Sequence, residues 1–418
     1  MELKKYKLGE ILDVTRGASL SGEFYATEGK YIRLTCGNFD YQNNCFKENK
    51  SKDNIYYVGD FKPEFLMEKG DIITPLTEQA IGLLGSTAII PESSKYIQSQ
   101  DVAKIICKED LLDKDFAFYL ISSALVKQQL SAAAQQTKIR HTSPDKIKDC
   151  TVWIPELSEQ KRIGKLLCSI DRKIELNRAI NQNLEAMAKQ LYDYCPDENG
   201  RPYKSSGGEM VWNEKLKREI PKGWDVKTMG NCTTILLGGT PDTNDSSLWG
   251  DGYNWLNSGE VAEFPILSSE KYITQKGLEK SSTVLAPKGS VTLSITRHLR
   301  PSILCIDACI NQSVVAILEN EILTNEYIYP LINREIPRLM SLRTGAQQPH
   351  INKEIVESIN VVIPPQRILY AYIKKSKSLY KSIFINAQEI ADLAKQRDEL
   401  LPLLMNGQVS VNSDLSAH

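Results

Sequence analysis

Residues 158–194 read SEQKRIGKLLCSIDRKIELNRAINQNLEAMAKQLYDY and follow Pro155 closely. Apolar side chains recur every seven positions along this stretch, with one asparagine in the same row. Such a row predicts a single long α-helix with a seam that packs against another helix. The row consists of Ile163, Ile170, Asn177, Leu184 and Leu191.

A second stretch, from Pro364 to about Met405, repeats this row 209 residues later, with the asparagine at the same place. The prolines before the two helices, Pro155 and Pro364, are separated by the same 209 residues. Gly407 can end the second helix. The second row consists of Tyr372, Leu379, Asn386, Leu393 and Leu400.

The sequence before each helix is also repeated, which predicts two similar globular bodies. Helix-like stretches lie around residues 116–130 and 326–342. Between the halves, residues 196–209 are rich in Pro, Gly and Ser, which is typical of an exposed connector. The matching segments are 8–17 with 229–238, 66–73 with 285–292, 99–103 with 311–315, and 151–155 with 360–364.

We expect the two long helices to project from these bodies and to pair. About 37 residues make a helix of roughly 55 Å, which is longer than a small domain is wide. Antiparallel pairing would place Ile163 near Leu400 and Leu191 near Tyr372, with both asparagines of the rows at the centre, where a buried Asn fixes register. The alternatives are that each helix lies on its own half, and that the asparagines only edge the apolar row.

The composition is that of an ordinary globular protein with two or three domains: 418 residues, 41% hydrophobic and 25% charged. Nine cysteines without a Cys-x-x-Cys pair indicate reduced structural thiols. No apolar run could span a bilayer or act as a signal segment, so we expect a cytoplasmic protein. The net charge of -1 argues against a uniformly basic surface but allows a local cluster.

Several motifs resemble those of a known family. The connector reads PYKSSGGEMV at 202–211 and is followed by IPKGW at 220–224; IPELSEQ stands at 154–160 and LLPLLMNG at 400–407. With the order globular unit, long helix, globular unit, long helix, these segments resemble the specificity subunit of type I restriction–modification enzymes over nearly the whole chain. The second helix begins PPQR at 364–367 and lacks the LSE of the first.

The resemblance implies an α+β fold with two target-recognition domains separated by two long antiparallel helices that form a coiled coil, in a pseudo-twofold arrangement. Each domain would read one half of a bipartite site in double-stranded DNA, and the helices would set the gap. The predicted segments are domain 1 (1–156), helix 1 (157–195), linker (196–223), domain 2 (224–364), helix 2 (365–407) and tail (408–418).

The resemblance also implies partners. Two modification subunits would dock on the helices and methylate adenine, and restriction subunits would join through them. This chain would direct both activities to the target. The methyl donor and ATP are expected on these partners, so this chain is expected to bind no cofactor and no metal. The sequence agrees, because it has neither a phosphate-binding Gly-x4-Gly-Lys-Ser/Thr motif nor an Asn- or Asp-Pro-Pro-aromatic segment.

Polar segments at equivalent places in the two halves are the predicted DNA contacts. Arg and Lys side chains suit guanine, and Asn and Gln suit adenine. The loops at 74–79 and 294–300 differ in chemistry while their flanks agree, as two readers of different sequences require. The candidates are Gln135, Gln136, Lys138, Arg140 and His141; Arg343, Gln347, Gln348 and His350; Arg297, His298 and Arg300; and Arg16 and Lys30 of the opening loop.

Two alternatives stay open for these features. The polar segments could be solvated loops without a ligand, and the chain could be a coiled-coil scaffold that has no DNA readout of its own.

Overall fold

The structure, a computed structural model, describes residues 2–50, 53–78, 82–133, 140–193, 208–345 and 349–411. In these ranges, no helix combines the length and the apolar character needed to cross a bilayer. The helices are α1 (Leu8–Ile11), α2 (Lys114–Ile121), α3 (Ala124–Ala133), α4 (Pro144–Lys148), α5 (Leu157–Asp193), α6 (Met229–Cys232), α7 (Gln275–Glu279), α8 (Asn325–Ser341), α9 (Lys353–Glu357) and α10 (Gln366–Met405).

The strands are short and fall into two series, one before α5 and one after it. The first series is β1 (Lys4–Lys7), β2 (Leu12–Arg16), β3 (Tyr25–Ala26), β4 (Tyr31–Arg33), β5 (Phe39–Asp40), β6 (Cys45–Phe46), β7 (Tyr56–Tyr57), β8 (Ile72–Pro75), β9 (Thr77–Glu78), β10 (Ala88–Ile89), β11 (Tyr96–Ile97), β12 (Val102–Cys107), β13 (Arg140–His141) and β14 (Thr151–Ile154). The second series is β15 (Met210–Asn213), β16 (Arg218–Pro221), β17 (Asp225–Thr228), β18 (Ile235–Leu237), β19 (Trp249–Leu256), β20 (Lys271–Ile273), β21 (Val284–Ala286), β22 (Val291–Ser294), β23 (Pro301–Ile303), β24 (Ala308–Ile310), β25 (Val314–Ile317) and β26 (Asn360–Ile363).

The chain forms two compact units. Unit 1 consists of Met1–Lys173 and Asp392–His418, and unit 2 consists of Ile174–Ala391. Each unit therefore contains part of α5 and part of α10, so the alternative in which each helix packs only on its own half is wrong. The domain bounds expected from the sequence, which keep each helix whole, stay a prediction.

Each unit contains the same antiparallel four-stranded sheet. In unit 1 its order is β10–β8–β12–β2, and in unit 2 it is β23–β22–β25–β18, strand for strand. A second sheet in each unit holds one parallel pair, β4 with β11 in unit 1 and β19 with β24 in unit 2. Beside them, β1 pairs with β14 and β17 pairs with β26. The expected α+β class and the duplicated body are thus confirmed.

The dipeptide Lys-Gly occurs at 69–70 and again at 288–289, and it forms the same turn in both units. Gly70 and Gly289 have φ angles of 88° and 92°, and each is followed closely by a buried strand of the four-stranded sheet. A glycine adopts this left-handed conformation without the steric cost that a Cβ atom brings. The turn therefore explains why the dipeptide recurs at equivalent places.

Both long helices contribute to the apolar core of each unit. In unit 1, Ile163 and Leu167 of α5 are buried in one cluster with Leu404 of α10. In unit 2, Tyr192 of α5 and Tyr372 of α10 are buried together, with ring centroids 6.2 Å apart. The start of α5 therefore packs with the end of α10 in unit 1, and its end with the start of α10 in unit 2. The antiparallel direction predicted from the sequence is confirmed.

The register of the two helices differs from the predicted register, in which Asn177 and Asn386 lie opposite each other at the centre. Asn386 donates a 3.0 Å hydrogen bond to Asn181, and Asn177 donates a 2.8 Å bond to Glu389. Asn177 is only 7% exposed, so it does more than edge the apolar row. Asn181 lies outside the predicted row of α5, seven residues after the buried Ile174. The buried face of α5 is therefore wider than the predicted row, and Asn386 contacts its edge.

The remaining residues of the two predicted rows lie at or near the helix seam. Ile170 is buried, and the other five are half-buried. Of these, Leu184, Leu191 and Leu379 pack against the core of unit 2, and Leu400 packs against the core of unit 1. Leu393 is the fifth half-buried residue.

Two local features differ from the sequence-based expectation. The helix-like stretch at 116–130 is divided into α2 and α3, and the Ser122 hydroxyl at the end of α2 donates to the carbonyls of Phe118 and Tyr119. Residues 196–207 of the expected linker lie outside the described residues. Its remaining part contains a β-hairpin, β15–β16, in which Asn213 accepts hydrogen bonds from the amides of Lys215 and Leu216.

Candidate nucleic-acid interface

In unit 1, two of the predicted polar segments are neighbours. Strand β9 (Thr77–Glu78) pairs antiparallel with β13 (Arg140–His141), so His141 lies opposite Thr77 and Arg140 opposite Glu78. The segment is also fixed by backbone bonds: the Leu76 amide donates to the Asp101 carbonyl at 2.8 Å. We call Thr77, Glu78, Asp101, Arg140 and His141 the first polar surface.

The side chains of the first polar surface are tied to one another. The Thr77 hydroxyl lies 3.2 Å from the Asp101 carboxylate and 3.4 Å from Nδ1 of the exposed His141. Glu78 is buried; it accepts the Gly82 amide at 2.7 Å and lies 3.7 Å from the Arg140 guanidinium. This surface therefore carries two carboxylates beside one half-exposed arginine.

The backbone hydrogen bonds of unit 2 follow the same pattern as those of unit 1, and we call this shared pattern the backbone frame. The Ile295 amide donates to the Ser313 carbonyl at 2.9 Å, as that of Leu76 does to Asp101. The Ile351 amide donates to the Ile295 carbonyl at 2.9 Å, and Thr296 forms a β-bridge with His350. We call Thr296, Arg297, His298, Arg300, Arg343 and His350 the second polar surface.

A tight turn presents the arginines of the second polar surface. The Ser294 hydroxyl donates to the His298 carbonyl at 2.5 Å and accepts the Arg300 amide at 3.2 Å, which closes the turn. Arg297 lies at its tip in the left-handed conformation, with a φ of 56°. Its amide donates to the Pro349 carbonyl at 2.8 Å, and its carbonyl accepts a 2.6 Å bond from Arg343.

The charge of the second polar surface is opposite to that of the first. Arg297, His298 and Arg300 are exposed, and Arg343 is half-buried. Across the described ranges of the chain, none of these arginines forms an ion pair with a carboxylate. A local cationic cluster therefore exists despite a net charge of -1.

The other candidates are placed differently. Arg16 donates a 2.8 Å bond to the Gln100 carbonyl, directly beside Asp101 of the first polar surface. Lys30 lies over the Tyr31 ring and lines a cavity of about 570 Å³ with Asp60 and Phe61, in a separate part of unit 1. Five candidates lie outside the described residues: Gln135, Gln136, Lys138, Gln347 and Gln348.

Sequence reasoning missed one pair of positions in this interface. Asp101 and Ser313 hold the frame in the two units, although neither was among the candidates. Both stand in matching segments at 99–103 and 311–315. The exchange of an acidic residue for a hydroxyl within such a match was the signal that could have found them.

No group suited to metal binding accompanies the two surfaces: the described residues contain no cluster of three or more His, Cys, Asp or Glu side chains that could hold an ion.

Comparison with known proteins identifies the family. A sequence profile described as "Type I restriction modification DNA specificity domain" matches residues 1–186 and again residues 221–393. The chain belongs to this family. A type I specificity chain of this kind is a non-catalytic DNA-recognition subunit that works with the modification and restriction subunits of its system. The two matches and the two units fit a DNA target in two parts.

Individual members of this specificity family share a low sequence identity with the chain but align with most of its length. The chain is 22% identical over 473 residues to the type I restriction enzyme HindI specificity subunit of Haemophilus influenzae, covering 97% of this chain and 99% of that one. It is 23% identical over 321 residues to the MjaIX specificity subunit of Methanocaldococcus jannaschii, covering 75% and 73%. A crystal structure of an S subunit from M. genitalium matches with a TM-score of 0.59 at 14% identity, covering 97% and 96%, which shows a shared fold.

Proposed function

We propose that the first polar surface reads one DNA half-site and the second polar surface reads the other, with the gap set by α5 and α10. One observation carries the proposal. The two surfaces share a backbone frame, yet Glu78 stands in unit 1 where Arg297 stands in unit 2. Two readers of different sequences need such a difference within a common frame.

The charges support binding to duplex DNA. Arginines that neutralise phosphates release condensed counterions, so binding of this kind weakens as the salt concentration rises. The exposed arginines of the second polar surface suit this role, whereas the carboxylates of the first polar surface do not. On this proposal the modification subunits supply further phosphate contacts, mainly at the half-site of unit 1.

On this proposal, the long helices would hold the two readers at a constant separation and so determine the gap. B-DNA completes one turn in roughly 34–36 Å, so two rigid readers select half-sites at one helical phase. The contacts between α5 and α10, such as the part-buried bond from Asn386 to Asn181, support this role of the helices.

The proposal extends to partners. Two modification subunits dock on this chain and methylate adenine in the target, and the restriction subunits join through them. The methyl donor and ATP bind to those subunits, and this chain binds neither. The assembly acts in the cytoplasm, where the DNA is.

Selection from a random duplex library tests the proposal. The full chain, assembled with its modification subunits, is incubated with the library at low salt, and the bound duplexes are sequenced. We expect enrichment of one motif with two specified parts and a spacer of constant length. Absence of enrichment would support the scaffold alternative and contradict the proposal.

An insertion tests the role of the helices. Four residues inserted after Asn177 add about 6 Å of helix. The selected spacer should then change while both half-sites stay the same. The same four residues inserted into the connector at 196–207 are the matched control and should leave the spacer unchanged. An unchanged spacer in the helix variant would contradict the role of α5.

A further inference from the structure

The common frame allows the positions of the two polar surfaces to be compared one by one. His141 in unit 1 and His350 in unit 2 occupy the same place, opposite Thr77 and Thr296. The next position along the frame differs: it is Glu78 in unit 1 and Arg297 in unit 2. The frame thus has a shared position and a variable one.

Duplex DNA also combines a constant part with a variable part. The sugar–phosphate backbone is chemically identical in both half-sites, whereas the bases differ. Phosphate contacts position a protein on DNA, and contacts to base edges carry the sequence information. A residue that contacts phosphate can therefore be the same in two readers, and a residue that reads a base is expected to differ.

We propose that Arg297 reads a guanine in the half-site of unit 2, and that His141 and His350 contact phosphates in their respective half-sites. This inference rests on the proposed function and assigns a ligand group to individual residues. The guanidinium can donate two hydrogen bonds to O6 and N7 of guanine in the major groove, a pattern that the other bases do not offer.

The local structure of Arg297 suits this role. Its side chain is exposed, and its backbone is held on both sides, by Pro349 and by Arg343. The turn is closed by Ser294, so the position of the Cα atom is fixed before DNA arrives. Such preorganisation reduces the entropy lost on binding.

The counterpart in unit 1 has the opposite properties. Glu78 is 6% exposed and its carboxylate is used within the protein, by the Gly82 amide and near the Arg140 guanidinium. A buried carboxylate at this position cannot donate to guanine. The half-site of unit 1 is therefore read by different groups.

Library selection with substituted full chains, each assembled with the modification subunits, tests the inference. The informative variants are Arg297→Ala, Arg297→Gly and His350→Ala. Glycine adopts a φ of 56° freely, so Arg297→Gly preserves the turn. Arg218→Ala, which removes an exposed arginine on β16 outside both polar surfaces, is the matched control.

The two Arg297 variants should lose about tenfold or more discrimination at one G·C position of one half-site, and keep every other position. His350→Ala should weaken binding by roughly twofold to tenfold on all sequences without changing the motif. Arg218→Ala should behave as wild type.

Two results would overturn the inference: full discrimination in both Arg297 variants, or an altered base preference in His350→Ala. If wild type enriches no split motif, the proposed function itself fails, and the two failures are thus distinguishable.

Discussion

The hydroxyl of Tyr119 donates a 2.6 Å hydrogen bond to the carboxylate of Asp171, on the long helix α5. The other oxygen of that carboxylate accepts a 2.8 Å bond from Arg397 of α10, and both charged side chains are largely buried. A single carboxylate thus joins α2 of unit 1 to segments of both long helices. Because hydrogen bonds are directional, it fixes the rotation of these helices more strictly than apolar contacts do.

Loss of the Tyr119 hydroxyl should destabilise unit 1. Tyr119→Phe removes a hydrogen bond to a charged group and is expected to lower the free energy of unfolding by about 1.5–3 kcal/mol. Denaturant titration of the full chain measures this. Tyr25→Phe, which removes a 3.2 Å bond from a half-buried hydroxyl to the Leu20 carbonyl, is the control and should cost less. An equal decrease in the free energy of unfolding for both variants would show that the hydrogen bond to Asp171 has no special role.

The register of the helices can be tested by crosslinking. Because Asn386 bonds to Asn181, cysteines at 181 and 386 should form a disulfide readily under mild oxidation. The pair at 177 and 386 is the control and should react more slowly, since Asn177 bonds to Glu389. Peptide mapping under non-reducing conditions distinguishes the pairs. If the pair 177 and 386 crosslinked faster than the pair 181 and 386, the result would support the register predicted from the sequence instead.

Four thiols that are half-buried or buried should be slow to react. Burial raises the pKa of Cys107, Cys150, Cys168 and Cys309 to about 11, from an ordinary value near 9. Since the thiolate is the reactive form, a pKa higher by about two units lowers its population at pH 8 roughly a hundredfold. Labelling at pH 8, followed by mass spectrometry, should find these four sites slow in the folded chain and fast in urea. Equal rates in both would contradict their burial.

The long helices could be predicted because their apolar rows are local and long. An apolar row with one residue in each of five heptads predicts a helix that packs against another helix, and this prediction needs no information about the rest of the fold. The contact of Asn386 was harder to predict. The row gives the buried face, but the axial position of one helix against the other depends on side chains such as Asn181 and Glu389, which lie outside the rows.

The interface could be predicted only in part. The polar segments were visible, but the pairing of Thr77–Glu78 with Arg140–His141 joins two-residue strands that are far apart in the chain, and such strands leave no periodic signal. The left-handed conformation of Arg297 was also hidden, because a glycine would be the usual residue there and arginine gives no such indication. Tertiary contacts at Pro349 and Arg343 hold it.

The central claim is that each unit reads its own half-site, and an exchange of one reader tests it most directly. Residues 230–360 are replaced by the counterpart from another member of the family, and the target is read by sequencing methylated DNA from cells that express the chimera with its modification subunits. The account predicts that one half-site changes while the other half-site stays as in wild type. A change in both half-sites would contradict it.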